Sequence, residues 1–266
     1  MSAQDQIIIQ NLNKVFVTGK GQRQVQALDN VNLRVGDGQF FSVLGPSGCG
    51  KSTLLRIVGG LIEPSSGRII VGNGETPHDA QRAKEIGFVF QDAGLMPWKT
   101  VVGNIETPLQ VNRKSNRPRQ HTTKELVDLV GLGAFSDAYP YQLSGGMQQR
   151  VAIARALSFD PRILLMDEPF GALDEITRQA MRYELLRIWE RSRKTVIFVT
   201  HSIAESIILS DTVAVMSPRP GRVRGIVEID FPRPRTEELE RSPEFLNYVD
   251  RLRHLLREEG ENGKNH

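Results

Sequence analysis

The sequence predicts an α/β fold that is built around a mostly parallel sheet. Residues 40–44 form a continuous apolar run before a glycine-rich turn, which is the pattern of a strand buried on both faces. From residue 163 onward, short apolar strands alternate with helical segments, and this alternation is typical of parallel sheets. Residues 100–158 have a helical pattern, so we expect a helical lobe inserted into the sheet-forming core.

The predicted elements follow one another along the chain. Two strands come first, one beginning at Ile7 and one running through 31–35. After the buried strand at 40–44, we expect a helix over 51–59. The later elements are strands at 68–71 and 87–90, a helix closed by Gly131, a helix starting beside Gly145, a strand at 163–166, a helix at 174–193, a strand at 196–199, a helix at 202–209 and a strand at 212–216.

A last helix is predicted near the C-terminus. Ser242, Pro243 and Glu244 supply an N-cap, a first-position proline and an acid in the first turn. Four apolar residues then recur every three or four positions, namely Phe245, Val249, Leu252 and Leu256. We expect this stripe to dock on the chain's own domain, and a partner surface is the alternative.

Composition narrows the function classes. The 34 basic and 31 acidic residues leave a net charge of +3, which is a weak signal for nucleic-acid binding. Cys49 is the only cysteine, which excludes an intrachain disulfide and a cysteine-rich zinc site. No run approaches the ~18 apolar residues of a spanning helix, and the N-terminus has no secretory pattern. We therefore expect a soluble chain that reaches a membrane through a partner.

A glycine-rich loop carries the strongest chemical signal. Its sequence GPSGCGKST matches the pattern G-x-x-x-x-G-K-[ST] between a buried strand and a helix. Glycines let successive backbone N–H groups converge on one anion, and the helix adds its positive end. Lys51 is expected to reach the outer phosphates of a nucleoside triphosphate, and the Ser52 hydroxyl to ligate Mg²⁺. The predicted nucleotide-binding residues here are Gly45, Pro46, Ser47, Gly48, Cys49, Gly50, Lys51, Ser52 and Thr53.

Polar residues at three predicted strand ends indicate hydrolysis. Ligands of a parallel sheet collect at the carboxyl ends of its strands, so Asp167 is expected to hold Mg²⁺, directly or through water. Glu168 is placed to orient or deprotonate the attacking water. His201 follows the strand at 196–199 and is expected to contact the γ-phosphate. Gln91 follows the strand at 87–90 and is a candidate contact for both the metal and the water.

With the stretch LSGGMQQR at residues 143–150, these motifs resemble those of ABC-type ATPases, the nucleotide-binding subunits of ATP-binding cassette transporters. By this resemblance, residues 45–53 are Walker A, Gln91 the Q-loop, 143–150 the signature, 163–168 Walker B, 172–174 the D-loop and His201 the switch histidine. The resemblance implies a P-loop NTPase core with an N-terminal antiparallel β subdomain. It also implies an ABC ATPase domain at 5–235, a helical subdomain inserted at about 92–158 and a C-terminal helical extension at 236–266.

The resemblance further implies a head-to-tail dimer with two ATP molecules at its interface. Each ATP would lie between one subunit's Walker A and the other subunit's signature. The residues expected there are Ser144, Gly145, Gly146 and Gln148 of the signature, together with Asp174 of the D-loop. Phe16 falls where the family has an aromatic ring that stacks on adenine, and a core phenylalanine is the alternative.

Four stretches resemble the nitrate, sulfonate and taurine importer subfamily, at residues 95–98, 171–178, 216–221 and 231–235. This implies an ATP-hydrolysing importer subunit that energises uptake of a small solute from the cytoplasmic face of the inner membrane. The implied partners are a second ATPase subunit, permease subunits and, indirectly, a solute-binding protein, without nucleic acid; an identical second subunit is favoured, and a different cassette is the alternative. Residues 95–98 would receive the permease's coupling helix, and a packed loop is the alternative.

Two other classes of protein explain the same motifs less well. One is a soluble ABC ATPase of translation or DNA repair, but those members carry two cassettes, coiled coils or zinc modules. Another is a P-loop kinase or a non-catalytic nucleotide sensor, which conflicts with the signature and with Glu168.

Two further features carry expectations. A basic stretch is expected to be a solvated loop, with lipid headgroup contact as the alternative, and comprises Arg113, Lys114, Arg117, Arg119 and Lys124. Cys49 lies near a helix N-terminus, a setting that lowers a thiol pKa, so we expect alkylation of Cys49 to block ATP hydrolysis.

Overall fold

The computed structural model describes residues 5–18, 23–111 and 121–257. The chain divides into two compact units. Unit one comprises the described parts of Met1–Ala80 and Thr195–His266, and unit two comprises those of Gln81–Lys194. Four residues of the basic stretch, Arg113, Lys114, Arg117 and Arg119, lie outside the described residues. Within the described ranges, every helix is too short or too polar to cross a membrane.

Unit one begins with a three-stranded antiparallel sheet. Its strands are β1 (Asp5–Thr18), β2 (Arg23–Gly36) and β4 (Ser66–Val71), in the order β2-β1-β4. In the second half of β2, Val31, Leu33 and Val35 are buried and alternate with exposed residues. This period of two places one face of the sheet on the core and the other in solvent.

Unit one also contains four neighbouring strands of a second, mostly parallel sheet. These strands are β3 (Phe40–Leu44), β7 (Thr195–Thr200), β8 (Thr212–Met216) and β9 (Val223–Glu228), in the order β7-β3-β8-β9. Strands β7 and β8 run parallel to β3, and β9 pairs antiparallel with β8. Every residue of β3, β7 and β8 is buried, which agrees with their continuous apolar sequences.

Three helices of unit one are α1 (Lys51–Val58), α7 (Ile203–Leu209) and α8 (Pro243–Arg257). A short helix, α2 (Pro77–Arg82), spans the residues at which the chain passes from unit one to unit two.

Ser242 caps α8 by accepting a hydrogen bond from the Phe245 N–H (3.1 Å). Phe245 and Leu252 are buried, and Arg224 of β9 donates to the carbonyls at the end of α8. Helix α8 therefore docks on unit one, as expected from its apolar stripe.

Unit two pairs β5 (Ile86–Val89) with β6 (Ile163–Asp167) in parallel. Its helices are α3 (Val101–Val111), α4 (Thr123–Leu129), α5 (Gly145–Leu157) and α6 (Glu175–Ser192). Thr122 and Glu125 form a reciprocal capping box at the start of α4. Helices α3, α4 and α5 pack on one another and lie within the helical insertion predicted at 92–158.

The structure confirms the predicted α/β fold with a mostly parallel sheet and an antiparallel N-terminal sheet. Strands β3 and β8 begin and end at the predicted residues, and α1 ends one residue early. The sequence analysis missed β9 and α2. In β9 most side chains are partly exposed and Gly225 interrupts the strand, so neither a buried run nor a clean alternation marks it.

Candidate functional site

The glycine-rich loop of unit one forms a cradle between β3 and α1. Gly48 and Gly50 adopt φ values of 75° and 108°, which only glycine adopts without strain. A Cβ atom on Gly50 would lie 2.7 Å from the Ala27 carbonyl oxygen, so the loop also needs glycine for close packing. Lys51 is 4% exposed, and its Nζ donates to the carbonyl oxygens of Gly45 (2.9 Å) and Pro46 (3.0 Å). The cradle is thus a backbone concavity with an ammonium group inside it, which suits a polyphosphate.

The side chain of Cys49 points into the protein. It is 1% exposed, and its Sγ lies 2.9 Å from the position of a Cβ atom built on Gly45. An alkylating reagent cannot reach a thiol at this depth in the folded chain. The expected reactivity of Cys49 is therefore wrong, and the residue can serve a nucleotide only through its backbone.

His201 lies at the same edge of the parallel sheet as the cradle. Leu44, the last residue of β3, pairs with Thr200, the last residue of β7, so Gly45 and His201 both follow strand ends that lie side by side. The Ser202 N–H donates to the Thr200 hydroxyl (2.9 Å), which is itself hydrogen-bonded to the buried carboxylate of Glu205. This small network fixes the turn that presents the exposed His201.

Glu205 is a positioning residue that the sequence analysis missed. Ser202 accepts a hydrogen bond from the Glu205 N–H (3.3 Å) and caps α7. A serine followed three residues later by glutamate is the sequence signature of a capping box, so this signal was available. The carboxylate turns instead to Thr200, beside His201.

Phe16 lies on β1 with its ring 37% exposed, so the alternative of a core phenylalanine is wrong. The Lys14 Nζ lies 5.0 Å from the centre of the Phe16 ring and donates to the Glu63 carbonyl oxygen (2.7 Å). An accessible aromatic ring of this kind can stack on a flat base.

Unit two brings Asp167, Glu168 and Gln91 to one edge of its strand pair. Val89 and Met166 are paired near the ends of β5 and β6, so the residues that follow them emerge together. Asp167 is 8% exposed, and Glu168 has a φ of 44°, in the left-handed region. The Gly171 N–H donates to the Glu168 carbonyl (2.9 Å), and a Cβ atom on Gly171 would lie 2.9 Å from Gln91 Nε2. The Gln91 amide therefore packs on the turn that follows the two acids.

The signature residues open helix α5. Ser144 is its N-cap and accepts from the Met147 N–H (3.3 Å), and both Ser144 and Gly145 are exposed. Gly146 is buried against α6, where a Cβ atom on it would lie 2.9 Å from Thr177 Cγ2. An exposed helix N-terminus with a glycine beside it offers N–H donors and a positive dipole end to an anion.

The side chain of Gln148 binds the backbone just before α5. Its Nε2 donates to the carbonyl oxygens of Pro140 (2.9 Å) and Leu143 (3.3 Å). The side chain amide therefore secures the segment that precedes α5. Its role in nucleotide binding stays a prediction.

Two residues of α5 that the sequence analysis missed bind the segment around Gln91. Gln149 is 3% exposed, and its Nε2 donates to the Phe90 carbonyl oxygen (3.1 Å). Arg155 donates to the carbonyl oxygens of Ala93 (2.6 Å) and Gly94 (2.8 Å), and burial lowers its pKa. The signature helix is thereby joined to both sides of Gln91. No sequence signal marks these bonds, since their acceptors are backbone atoms about sixty residues away.

Asp174 is exposed and is the N-cap of α6, where it accepts a hydrogen bond from the Thr177 N–H (3.0 Å). This backbone hydrogen bond lowers the pKa of the Asp174 carboxyl below its usual value.

The segment predicted to contact a permease, residues 95–98, is held in place by hydrogen bonds from a buried side chain. Asn104 of α3 is fully buried, accepts from the Met96 N–H (2.8 Å), and donates to the carbonyl oxygens of Met96, Lys99 and Thr100. Trp98 is 72% exposed, so the alternative of a packed loop does not hold for its side chain. A large aromatic ring held outward on a fixed loop is typical of a contact surface.

Comparison with known proteins places these features in a family. The ABC transporter family model matches residues 28–171. An uncharacterised ABC transporter ATP-binding protein of Methanocaldococcus jannaschii is 49% identical over 94% of this chain and 91% of its own length. A nitrate import ATP-binding protein of Synechocystis is 44% identical over 94% of both chains. An aliphatic sulfonates import ATP-binding protein of Bacillus cereus is 45% identical over 91% of this chain and 94% of its own length.

A solved structure agrees with these relatives. It is an ATP-binding cassette in a dimeric, post-hydrolysis state, bound to ADP and phosphate. The two chains are 35% identical and match with a TM-score of 0.70 over 85% of this chain and all of the cassette. Both the fold and the sequence therefore lead to one conclusion: the chain belongs to the ABC transporter family and is one of its ATP-binding ATPases.

Proposed function

We propose that the chain is the ATP-hydrolysing subunit of an ABC importer that takes up a small solute. The observation that carries this proposal is the unit-two edge where Asp167, Glu168 and Gln91 meet, in a chain whose relatives are named import ATP-binding proteins. At that edge the Asp167 carboxylate would bind a metal ion, and Glu168 would act on the attacking water. The relatives named for nitrate, taurine and aliphatic sulfonates support a small solute of that kind as the cargo.

The cradle would bind the phosphates of ATP. The backbone N–H groups between Gly45 and Thr53, including those of Ser47, Gly48 and Cys49, would donate to phosphate oxygens. Lys51 already lies inside the loop and would turn its Nζ from the Gly45 and Pro46 carbonyls toward the outer phosphates. The exposed ring of Phe16 would stack on adenine.

Mg²⁺ fits the oxygen donors of these motifs. Mg²⁺ is commonly held by one or two carboxylates together with substrate phosphates and water. The Ser52 hydroxyl, the Asp167 carboxylate and the Gln91 amide oxygen would hold the ion, as the family's motif order supports. Bound Mg²⁺ would neutralise charge on the phosphates.

Glu168 would orient and deprotonate the attacking water, and His201 would donate a hydrogen bond to the γ-phosphate. Gln91 packs on the turn after Glu168, and α5 holds the residues on both sides of Gln91 through Gln149 and Arg155. A change at Gln91 would therefore reach the signature helix through hydrogen bonds. This route would join the state of the nucleotide to the position of α5.

ATP would hold two copies of the chain together head to tail. The exposed Ser144 and Gly145 at the N-terminus of α5 would bind the γ-phosphate of an ATP on the partner copy, with the buried Gly146 and the amide of Gln148 supporting them. The dimeric state of the solved cassette with ADP and phosphate supports this arrangement. Hydrolysis followed by release of the phosphate would then weaken the interface, because the group that bridges the two copies is lost.

The partner that converts closure into transport would be a permease at the cytoplasmic face of the inner membrane, served by a solute-binding protein. The exposed Trp98 on its fixed loop would enter the contact with the permease. The importer relatives support such a partner.

A native pull-down tests the importer proposal. The tagged full chain should recover a polytopic membrane protein from gently solubilised source membranes, whereas Trp98→Ser should recover at least about tenfold less of it. The matched control is Tyr141→Ser, which removes another strongly exposed ring of unit two. MgATPase activity of the isolated chain should be equal in all three proteins. Recovery of ribosomes or nucleic acid in place of a membrane protein would overturn the importer proposal and favour a soluble ABC ATPase.

A further inference from the structure

The loop between β8 and β9 has no role in the proposed hydrolysis. It comprises residues 217–222, with the sequence SPRPGR, and we name it the brace loop. Its two ends are joined, because the Ser217 N–H donates to the Arg222 carbonyl (2.9 Å) and the Arg222 N–H donates to the Ser217 hydroxyl (3.0 Å). The same hydroxyl donates to the Pro220 carbonyl oxygen (2.9 Å). The brace loop is therefore a closed turn with little freedom of its own.

The brace loop is hydrogen-bonded to β2, which also lines the cradle. The Gly221 N–H donates to the Ala27 carbonyl (2.9 Å), and the Asp29 N–H donates to the Gly221 carbonyl (3.0 Å). Arg222 forms an ion pair with Asp29, with Nε 2.7 Å from the carboxylate. Ala27 is the residue whose carbonyl also limits Gly50 of the cradle.

The brace loop touches the cradle itself, backbone against backbone. A Cβ atom on Gly221 would lie 2.2 Å from the Cys49 carbonyl oxygen and 2.7 Å from Met216 Cε. Real Cβ atoms do not approach a carbonyl oxygen so closely, and a backbone atom cannot move aside as a flexible side chain end can. Glycine at 221 is thus what allows the brace loop to reach the cradle.

Arg219 extends from the brace loop over the tip of the cradle. Its Nε donates to the Gly48 carbonyl oxygen (3.3 Å), and its Nη2 lies 3.9 Å from the position of a Cβ atom on Gly48. A carbonyl oxygen carries partial negative charge, which opposes a polyphosphate bound nearby. The guanidinium bonds this oxygen and adds a positive charge at the rim, while its planar fork keeps further N–H donors available.

We infer that Arg219 is a positioning residue of the phosphate cradle, which fixes the Gly48 peptide and strengthens binding of a nucleoside di- or triphosphate. The inference rests on the proposed assignment of the cradle to the phosphates. Arg219, which lies in the importer-like stretch at residues 216–221, would thus contribute to nucleotide affinity separately from the chemistry at Glu168. Because Arg219 is exposed, its charge is screened by salt.

Titration calorimetry with MgADP on the full chain tests this role, since ADP binding requires no hydrolysis. Arg219→Ala should raise the Kd for MgADP about three- to tenfold, and Arg219→Lys should recover part of the loss. The difference between wild type and Arg219→Ala should shrink between ~0.05 and ~0.5 M salt. In steady-state assays Arg219→Ala should raise the KM for ATP by a similar factor and leave kcat within about twofold.

Arg34→Ala is the matched control, because it also removes one exposed cation from unit one. Arg34 is bonded to Asp5 of β1 and not to the cradle, so its loss should leave the Kd unchanged. A Kd for Arg219→Ala equal to that of the wild type would overturn the inference, as would an equal rise in Kd for Arg34→Ala. A wild-type chain that fails to bind MgADP would instead overturn the proposed function of the cradle.

Discussion

The two units hold their candidate residues by different means. In unit one, the cradle is built from backbone: Gly48 and Gly50 have positive φ, Gly50 packs against the Ala27 carbonyl, and strand β3, which leads into the cradle, is fully buried. In unit two, the residues on both sides of Gln91 are held by hydrogen bonds from the side chains of Gln149 and Arg155, and the Gln91 amide packs on the turn after Glu168. Tightly packed backbone is costly to move, whereas side chain contacts can exchange partners.

This difference assigns two tasks. A rigid backbone cradle suits binding, which needs the same N–H groups in the same place for ATP and ADP. An adjustable set of side chains would suit the proposed step that distinguishes ATP from ADP and changes the position of α5. Variants in unit one should therefore lose nucleotide affinity, and variants in unit two should lose turnover while keeping affinity.

The largest expected effect is the contrast between Glu168→Gln and Lys51→Ala. Glu168→Gln removes the base for the attacking water, so kcat should fall on the order of 10² to 10⁴-fold with little change in the Kd for MgATP. Lys51→Ala removes a charge-assisted donor from the cradle and should weaken MgATP binding on the order of a hundredfold.

Calorimetry and a phosphate-release assay measure both quantities for each variant, and circular dichroism checks that each is folded. Weakened ATP binding in Glu168→Gln, together with unchanged binding in Lys51→Ala, would show that the two tasks are not divided between the units in this way.

One glycine substitution in each unit should have an effect of intermediate size, and the two effects should differ in kind. Gly50→Ala places a Cβ atom 2.7 Å from a backbone carbonyl at a φ of 108°, so it should cost about 1–3 kcal/mol of stability and lower Tm by several degrees. Gly171→Ala places its Cβ atom 2.9 Å from the movable end of Gln91 and 3.3 Å from the Glu168 carbonyl oxygen, and a small shift relieves the second contact. It should change Tm little and reduce kcat several-fold by displacing that amide. Equal losses of Tm in the two variants would contradict the distinction between backbone and side chain support.

The smallest effect concerns the pH dependence of the α6 cap. The Thr177 N–H lowers the pKa of Asp174 from 3.8, so the charged cap stabilises the folded chain above that value. The stabilisation should disappear as the pH falls through the lowered pKa. Asp174→Asn keeps an acceptor oxygen but cannot titrate, so the small Tm advantage of the wild type at pH 7 should shrink steadily as the pH falls below 3.8. An advantage that stays constant as the pH falls below 3.8 would exclude the cap as its source.

The sequence predicted the elements that carry strong local patterns. In each of two places, a continuous apolar run is followed directly by glycines or by acids. These patterns predict the position of β3 with the cradle after it, and of β6 with its acids, from local sequence alone. The capping of α8 by Ser242 was predictable for the same reason.

Other features depend on contacts that no local pattern contains. Gln149 bonds a carbonyl 59 residues away, and Arg219 bonds one 171 residues away. The sequence analysis treated Cys49 as reactive because it lies beside a helix N-terminus, but the fold of the loop turns the thiol inward. Burial of a side chain in a tight loop is decided by packing, which composition and spacing do not report.

The most direct test of the proposed mechanism is the mass of Glu168→Gln in solution with and without MgATP. Light scattering should give the monomer mass of 29.8 kDa without nucleotide and twice that mass with saturating MgATP, because two bound ATP molecules join the copies and are not hydrolysed. The double variant Glu168→Gln, Lys51→Ala should remain at the monomer mass. A Glu168→Gln chain that binds MgATP by calorimetry yet stays at 29.8 kDa would contradict ATP-driven closure of a dimer.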